Sequence, residues 1–387
     1  MFLPFSFFQS KNQKPYVDPV VVGALNSGAE IYSLVQIGNI LFLGGYFTSI
    51  GGVSRNGIAA IDANTGTLLS HFQSGGLGGT NPVISSMVYT GNMLIVGGGF
   101  NSINGVSRNG IAAIDPDTGN VLSWYPQGGL TGSLYSIMTM LLKGNILYVA
   151  GSFLTIGGVS RVRIAAIDIS TAGVTSWYPF GGVSGGLSSK FCLSEDGNTI
   201  YLGGSFSMIG GQNKPKISAL DPISGSVKTS FNPPTVNSSY TPNIDSIYQV
   251  GNNLVIGSAT SSFTAISGQT RSGFAILDST NGSLTSLYPT GGFSGISPYT
   301  TGFTSIGNSL YVFGHFDSVG GQTRNGIVSL DLNSMQILSW YPPNGVGGSD
   351  FSILRAFPSD SNSIWVYGWF TSIGGVPRNG IAKLNLF

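Results

Sequence analysis

The apolar positions of this chain fall in short runs separated by small polar residues, with no stripe at helical spacing. Ile31 to Gln36, Ile40 to Phe47, Asn56 to Asp62 and Thr67 to Phe72 each read as a strand. Gly38-Asn39 joins the first two, and the same turn recurs as Gly91-Asn92, Gly144-Asn145, Gly197-Asn198, Gly251-Asn252 and Gly307-Asn308. Such tight turns need positive φ, which glycine and asparagine adopt at little cost. The third strand is apolar on both faces, as in Ile58-Ala59-Ala60-Ile61 and Ile111-Ala112-Ala113-Ile114, so both of its faces must be covered.

These strands belong to a repeat. The stretch Gly44 to Asp62, GGYFTSIGGVSRNGIAAID, returns six more times, anchored at Phe47, Phe100, Phe153, Phe206, Phe263, Phe316 and Phe370. The intervals are 53, 53, 53, 57, 53 and 54 residues. Eight positions after each anchor stands a cation: Arg55, Arg108, Arg161, Lys214, Arg271, Arg324 and Arg378. Fifteen after it stands Asp62, Asp115, Asp168, Asp221, Asp278, Asp331 or, in the last copy, Asn385. A period of this length with four strands per unit predicts an all-β fold, a seven-bladed β-propeller of four-stranded antiparallel blades, because blades in a ring cover one another's faces. The expected organisation is an aromatic arm over residues 1–15 and one propeller over residues 16–387.

The ends of the repeat array predict how the ring closes. The last copy has a third strand, Gly380 to Leu386, and no fourth, whereas a lone strand, Asp18 to Leu25, precedes the first copy. That strand is expected to complete the last blade. Ahead of it, Phe2, Leu3, Phe5, Phe7 and Phe8 are expected to dock on a partner or to fold back on the propeller flank. The segment MFLPFSFFQS is a weak match to a signal peptide, since it lacks a basic start, carries Pro4 and has no small-residue cleavage site after a full apolar region.

Composition narrows the function classes. Charged residues make up 8% of the chain and glycine fills 59 positions, a surface of hydroxyls and amides that suits an extracellular, virion or cell-surface protein. A net charge of +1 offers no electrostatic footprint for nucleic acid. One cysteine, Cys192, forbids an intrachain disulfide, and two histidines, His71 and His315, cannot build a histidine-rich metal site. No apolar run reaches the roughly 18 residues of a membrane span, so a soluble chain without cofactor is expected.

The pattern Gly-Gly-x-Phe-[ST]-x-[IV]-Gly-Gly-x-x-Arg-x-[GR]-[IL]-Ala-x-[IL]-Asp, clearest at Gly44 to Asp62, Gly97 to Asp115 and Gly203 to Asp221, resembles the delta-60-type repeat propellers. The resemblance runs from about Asp18 to the end of the chain. It is less like kelch, which expects Tyr and Trp at set offsets, and less like WD40, since no Trp-Asp dipeptide occurs. It implies a propeller fold and little chemistry, as such propellers occur in surface, secreted and virus-associated proteins. Two copies depart from it: Lys214-Pro215-Lys216 replaces Arg-Asn-Gly, and Ser258 to Ser262 carries about four extra residues.

Candidate chemistry is sparse. The repeat Arg and Asp lie seven residues apart on one strand, roughly 23 Å, and cannot pair with each other. Each Asp opens a turn, Asp62-Ala-Asn-Thr-Gly66 for example, and is expected to accept backbone N–H groups there. Each Arg is expected either to satisfy loop carbonyls or, as a ring of Arg55, Arg108, Arg161, Lys214, Arg271, Arg324 and Arg378, to hold an anion or acidic glycan. The strand-four signals Trp124-Tyr125-Pro126, Trp177-Tyr178-Pro179, Leu287-Tyr288-Pro289 and Trp340-Tyr341-Pro342 suit packing between blades or stacking on a sugar. His315 occupies a variable position, matching Tyr46, Gly99, Ser152, Ser205, Ser262 and Trp369, and with Asp317 forms the sole acid/base candidate. Only two glutamates exist, Glu30 and Glu195, and the glycine-rich segments lack a phosphate-loop ending, so no catalytic residue is assigned. The expectation is a non-enzymatic docking or decoration propeller in a larger assembly. A carbohydrate-binding propeller is the alternative, with a hydrolase or lyase using a propeller-face pocket more remote.

Overall fold

The computed structural model describes residues 17–18, 22–23, 25–26, 28–70, 72, 75–214, 216–237, 243–258, 264–349, 351–360 and 362–386. Every regular element among them is a β-strand. The aromatic arm, His71, Pro215 and the anchor Phe263 lie outside the described residues.

Seven three-stranded antiparallel sheets carry the repeats. In the first, Glu30–Ile37 pairs with Ile40–Tyr46 across the Gly38-Asn39 turn, and Ile40–Tyr46 pairs in turn with Ile58–Asp62. The same order holds down to Ser352–Asp360, Ser363–Trp369 and Ile381–Asn385 in the last. The core lies between sheets: Phe42, Ile58 and Ala60 of the first pack on Leu94, Val96 and Ala112 of the second. Their other neighbours along the strand, Leu43, Ala59 and Ile61, pack on Trp365, Tyr367 and Ile381 of the last sheet. A strand sandwiched in this way must be apolar on both faces, as its sequence is. The anchors Phe47, Phe100, Phe153, Phe206, Phe316 and Phe370 are all buried.

The fourth stretch of each repeat is shorter than expected. Thr67 to Phe72 makes one bridge, Leu68 to Ile61, followed by Leu69 N–H donating to the Ala60 carbonyl. Equivalent single bridges stand at Val121, Val174, Val227, Leu284 and Ile337. The chain then turns away through the aromatic-proline signal, and proline has no N–H to extend a ladder. Val17 makes the same single bridge to Leu384 of the last sheet, and Asp18 N–H donates to the Lys383 carbonyl at 2.9 Å. Leu25 instead bridges Ile50 of the first repeat. The N-terminal segment therefore divides between the last and first repeats, where one strand in the last had been expected.

A second tier of small sheets was not anticipated. The hairpin Ser102–Ile103 with Val106–Ser107 pairs with Leu77–Gly78 from the preceding inter-repeat segment, and five later repeats copy it. Its tight geometry explains the Gly-Gly doublets, since Gly51 and Gly52 have φ of 56° and 77°.

Candidate functional site

The recurrent cations are fastenings. Arg108 Nη1 donates to the Ser107 carbonyl at 2.9 Å and Nη2 to the Leu122 carbonyl at 3.1 Å, tying the hairpin to the fourth stretch of its own repeat. Arg55, Arg161 and Arg271 do likewise with the carbonyls of Leu69, Thr175 and Thr285. Arg378 reaches the Asp18 carbonyl at 2.8 Å, the matching residue of the N-terminal segment. Lys214 donates to the Phe231 carbonyl, and Arg324 to the Thr323 carbonyl and Gln322 Oε1. The guanidinium groups of Arg108, Arg161, Arg271 and Arg324 lie 4.6–4.8 Å from the ring centres of Tyr125, Tyr178, Tyr288 and Tyr341. Each of those tyrosine hydroxyls also accepts a backbone N–H, from Asn109, Val162, Ser272 and Asn325. Indole N–H groups of Trp124, Trp177 and Trp340 donate to carbonyls of the following repeat. The aromatic-proline signal thus serves packing, and the recurrent arginines direct their Nη donors to nearby oxygens, mostly backbone carbonyls, while the buried Nε of Arg55, Arg108, Arg161, Arg271, Arg324 and Arg378 has no hydrogen-bond partner among the described residues.

The recurrent carboxylates close turns. Asp62 Oδ1 accepts from Asn64 N at 2.9 Å and Thr65 N at 2.8 Å, and the bonds from Thr65 lead in holding its carboxyl below the usual range. Asp168, Asp221 and Asp331 are lowered too, with bonds from Ser170, Ser224 and Ser334 as their first causes. Among the described residues no three His, Cys, Asp or Glu side chains gather as a metal site. Cys192 is a free, half-buried thiol that burial pushes up to about 11.

His315 and Asp317 do not work as a pair. The His315 ring stacks on Tyr299 at 5.2 Å and tilts towards Phe351 at 5.3 Å, and its Nδ1 lies 2.7 Å from the Phe351 carbonyl. A carbonyl only accepts, so Nδ1 carries the proton. No hydrogen bond joins the ring to Asp317, whose backbone is tied to Ser294 and Arg324.

What the structure adds is the surroundings of His315. The residue before the anchor ends strand two, and it is Tyr46, His315 or Trp369 in the first, sixth and seventh repeats, which are neighbours through the packing of first sheet on last. Tyr46 and Trp369 are 43% and 42% exposed. In the second to fourth repeats the position holds Gly99, Ser152 and Ser205, leaving that side of the rim low. Below it lies a cavity of about 480 Å³, lined among others by Tyr32, Tyr46, Ser85, Met138, Asp245 and Arg355. These residues come from five repeats, so the cavity is the central channel. In three repeats its wall is shaped by a bulge in strand one, which sets Tyr32, Ser85 or Met138 out of register with strand two. Of these residues, sequence reasoning singled out only the variable position; the channel wall had no sequence signal, because its members lie in separate repeats.

Comparison with known proteins agrees on the fold. The sequence model of a β-propeller domain of unknown function, DUF5122, matches residues 92–117 and 360–386. Among curated proteins nothing matches the chain. A solved chain of the mitotic checkpoint complex is similar at 13% identity and a TM-score of 0.58, covering 100% of this chain and 99% of that one. The computationally designed Ika8 protein aligns at 14% identity and 0.54, covering 95% and 99%. The WD40 β-propeller domain of Doa1 aligns at 9% and 0.54, covering 95% and 96%. The chain is a repeat β-propeller. No helix among the described residues is long and apolar enough to cross a membrane.

Proposed function

We propose that the protein is a non-enzymatic interaction propeller, a docking or decoration module of a larger assembly such as a virion or a cell-surface structure. The observation that carries this reading is the contrast between spent and unspent groups. Recurrent Arg and Asp side chains bond within their own repeats, whereas Tyr46 and Trp369 stand exposed at the rim of the channel. Large aromatic side chains that remain wet in a lone chain favour burial against a protein partner. The residues 1–15 arm, rich in phenylalanine, supplies a second contact to the same assembly. Light scattering and cross-linking in the native assembly, with the full chain, a chain beginning at Tyr16 and a Tyr46→Ala/Trp369→Ala variant, test the reading. Both altered proteins should lose incorporation while keeping their melting transition; unchanged incorporation of both refutes it.

A carbohydrate-binding propeller is the second reading, favoured by the same exposed rings, whose faces suit the C–H face of a sugar. Since both Nη groups of Arg108 are engaged by carbonyls and its Nε is buried, binding on a glycan array should be lost in Trp369→Ala and retained in Arg108→Met. An array on which the parent protein binds nothing ends this reading.

A further inference from the structure

One position of the repeat changes its chemistry from copy to copy. The strand-one residue set out by the bulge is Tyr32, Ser85 and Met138 in the first three repeats and Thr301 in the sixth. Asp245 holds the same place in the fifth, because Ser246 after it pairs with Gly257 as Ser33 pairs with Gly44. The side chains that fasten the fold, whether anchor ring, clamping cation or turn carboxylate, return from repeat to repeat. A phenol, a hydroxyl, a thioether and a carboxylate at one position share no fastening task. What they share is a cavity: Tyr32, Ser85, Met138 and Asp245 all line the channel space of about 480 Å³, with Asn81 and Arg355 beside them.

The two charges of this wall are opposite and stand apart. Asp245 accepts from Asn243 Nδ2 at 2.5 Å, Arg355 makes no hydrogen bond with any described residue, and the one ion pair among the described residues joins Lys383 to Asp360. An anionic ligand would face Asp245 and a cationic one Arg355, and like charges brought together in a partly desolvated channel repel. A ligand of hydroxyls meets neither penalty. The carboxylate only accepts and the guanidinium only donates, whereas an alcohol does both. Val83, Met138 and the 43% exposed ring of Tyr46 offer its C–H groups an apolar wall. We propose, resting on the carbohydrate reading above, that the channel binds a neutral sugar, a pyranose whose hydroxyls bond Asp245 and Arg355. The cavity falls within the roughly 300–1,000 Å³ of small-molecule sites.

The test is saturation-transfer NMR on the full chain with the methyl glycosides of glucose, galactose, mannose and N-acetylglucosamine, and with glucuronate as their charged counterpart. At least one neutral glycoside should bind, and more tightly than glucuronate, which Asp245 repels. Asp245→Asn and Arg355→Met should each weaken it by about ten- to a hundredfold, the weight of one charged hydrogen bond. Ser85→Tyr fills the cavity with the side chain that the first repeat carries at the same position, and it should abolish binding while the urea midpoint stays that of the parent. Tighter binding of glucuronate, or equal binding by all three variants, overturns the channel site. If Trp369→Ala then abolishes binding, the sugar lies on the rim and the carbohydrate reading stands without the channel. With no neutral glycoside bound the channel site falls, and the glycan array decides the carbohydrate reading separately.

Discussion

Removing residues 16–26 should open the ring. Val17 and Val22 are 6% and 8% exposed, and burying a valine stabilises by about 1.5–3 kcal/mol, so the two contribute about 3–6 kcal/mol. Among the bonds of the segment to the rest of the chain are those from Asp18 N–H to the Lys383 carbonyl, from Arg378 Nη2 to the Asp18 carbonyl, and from Thr48 N and Ser49 N to Asn26 Oδ1. At about 1 kcal/mol each they bring the total to about 7–10 kcal/mol. That is most of the roughly 5–15 kcal/mol by which a folded domain is stable. The strand Ile381–Asn385 would then present an unpaired edge, which invites association between chains. In urea, followed by tryptophan fluorescence and far-ultraviolet circular dichroism, the shortened chain should lose its single steep transition, and a peptide covering residues 16–26 should restore part of it. A shortened chain that stays monomeric and melts as cooperatively as the parent would refute closure by this segment.

Four further outcomes are expected. Arg108→Met should cost about 1–3 kcal/mol in urea midpoint free energy, because the Leu122 carbonyl loses its donor and Tyr125 its cation; an unchanged midpoint would show the clamp to be idle. Gly57→Ala should cost at least about 1 kcal/mol, since φ is +74° and the added Cβ would lie 2.4 Å from Leu77 Cδ1; the control Gly52→Ala has open space at φ +77° and should cost less. The Asp62, Asp168, Asp221 and Asp331 carboxyls are depressed in the fold, so their contribution is present above the ordinary carboxylate pKa and lost as pH falls below it; Asp62→Asn should flatten that acid limb, and an unchanged limb counts against it. Lys190 sits at about 7 against an ordinary 10.5, so the folded chain binds fewer protons between those values and stability should rise with pH there; urea midpoints should show this slope in the parent and lose it in Lys190→Met, and equal slopes would contradict it.

The features that the sequence determined by itself are those built within one repeat. The hairpin around Gly38-Asn39, the burial of Phe47 and the turn opened by Asp62 all join residues a few positions apart, so the pattern of the chain specifies them directly. The Arg fastening was legible in the same way, as its carbonyl partner lies 14 residues on. The fourth strand was overread because its apolar residues pack without extending a ladder, and the small second-tier sheets were missed because Leu77–Gly78 carries no strand pattern of its own. Only the tertiary structure decided what stands at the centre. Tyr46, Ser85, Met138, Asp245 and Arg355 are separated by whole repeats in sequence, and no spacing along the chain states their distance in space. The turning of one sheet against the next brings them to a common channel, and that rotation is set by packing between sheets, by Phe42 on Leu94 and Ala59 on Tyr367, which no single repeat contains.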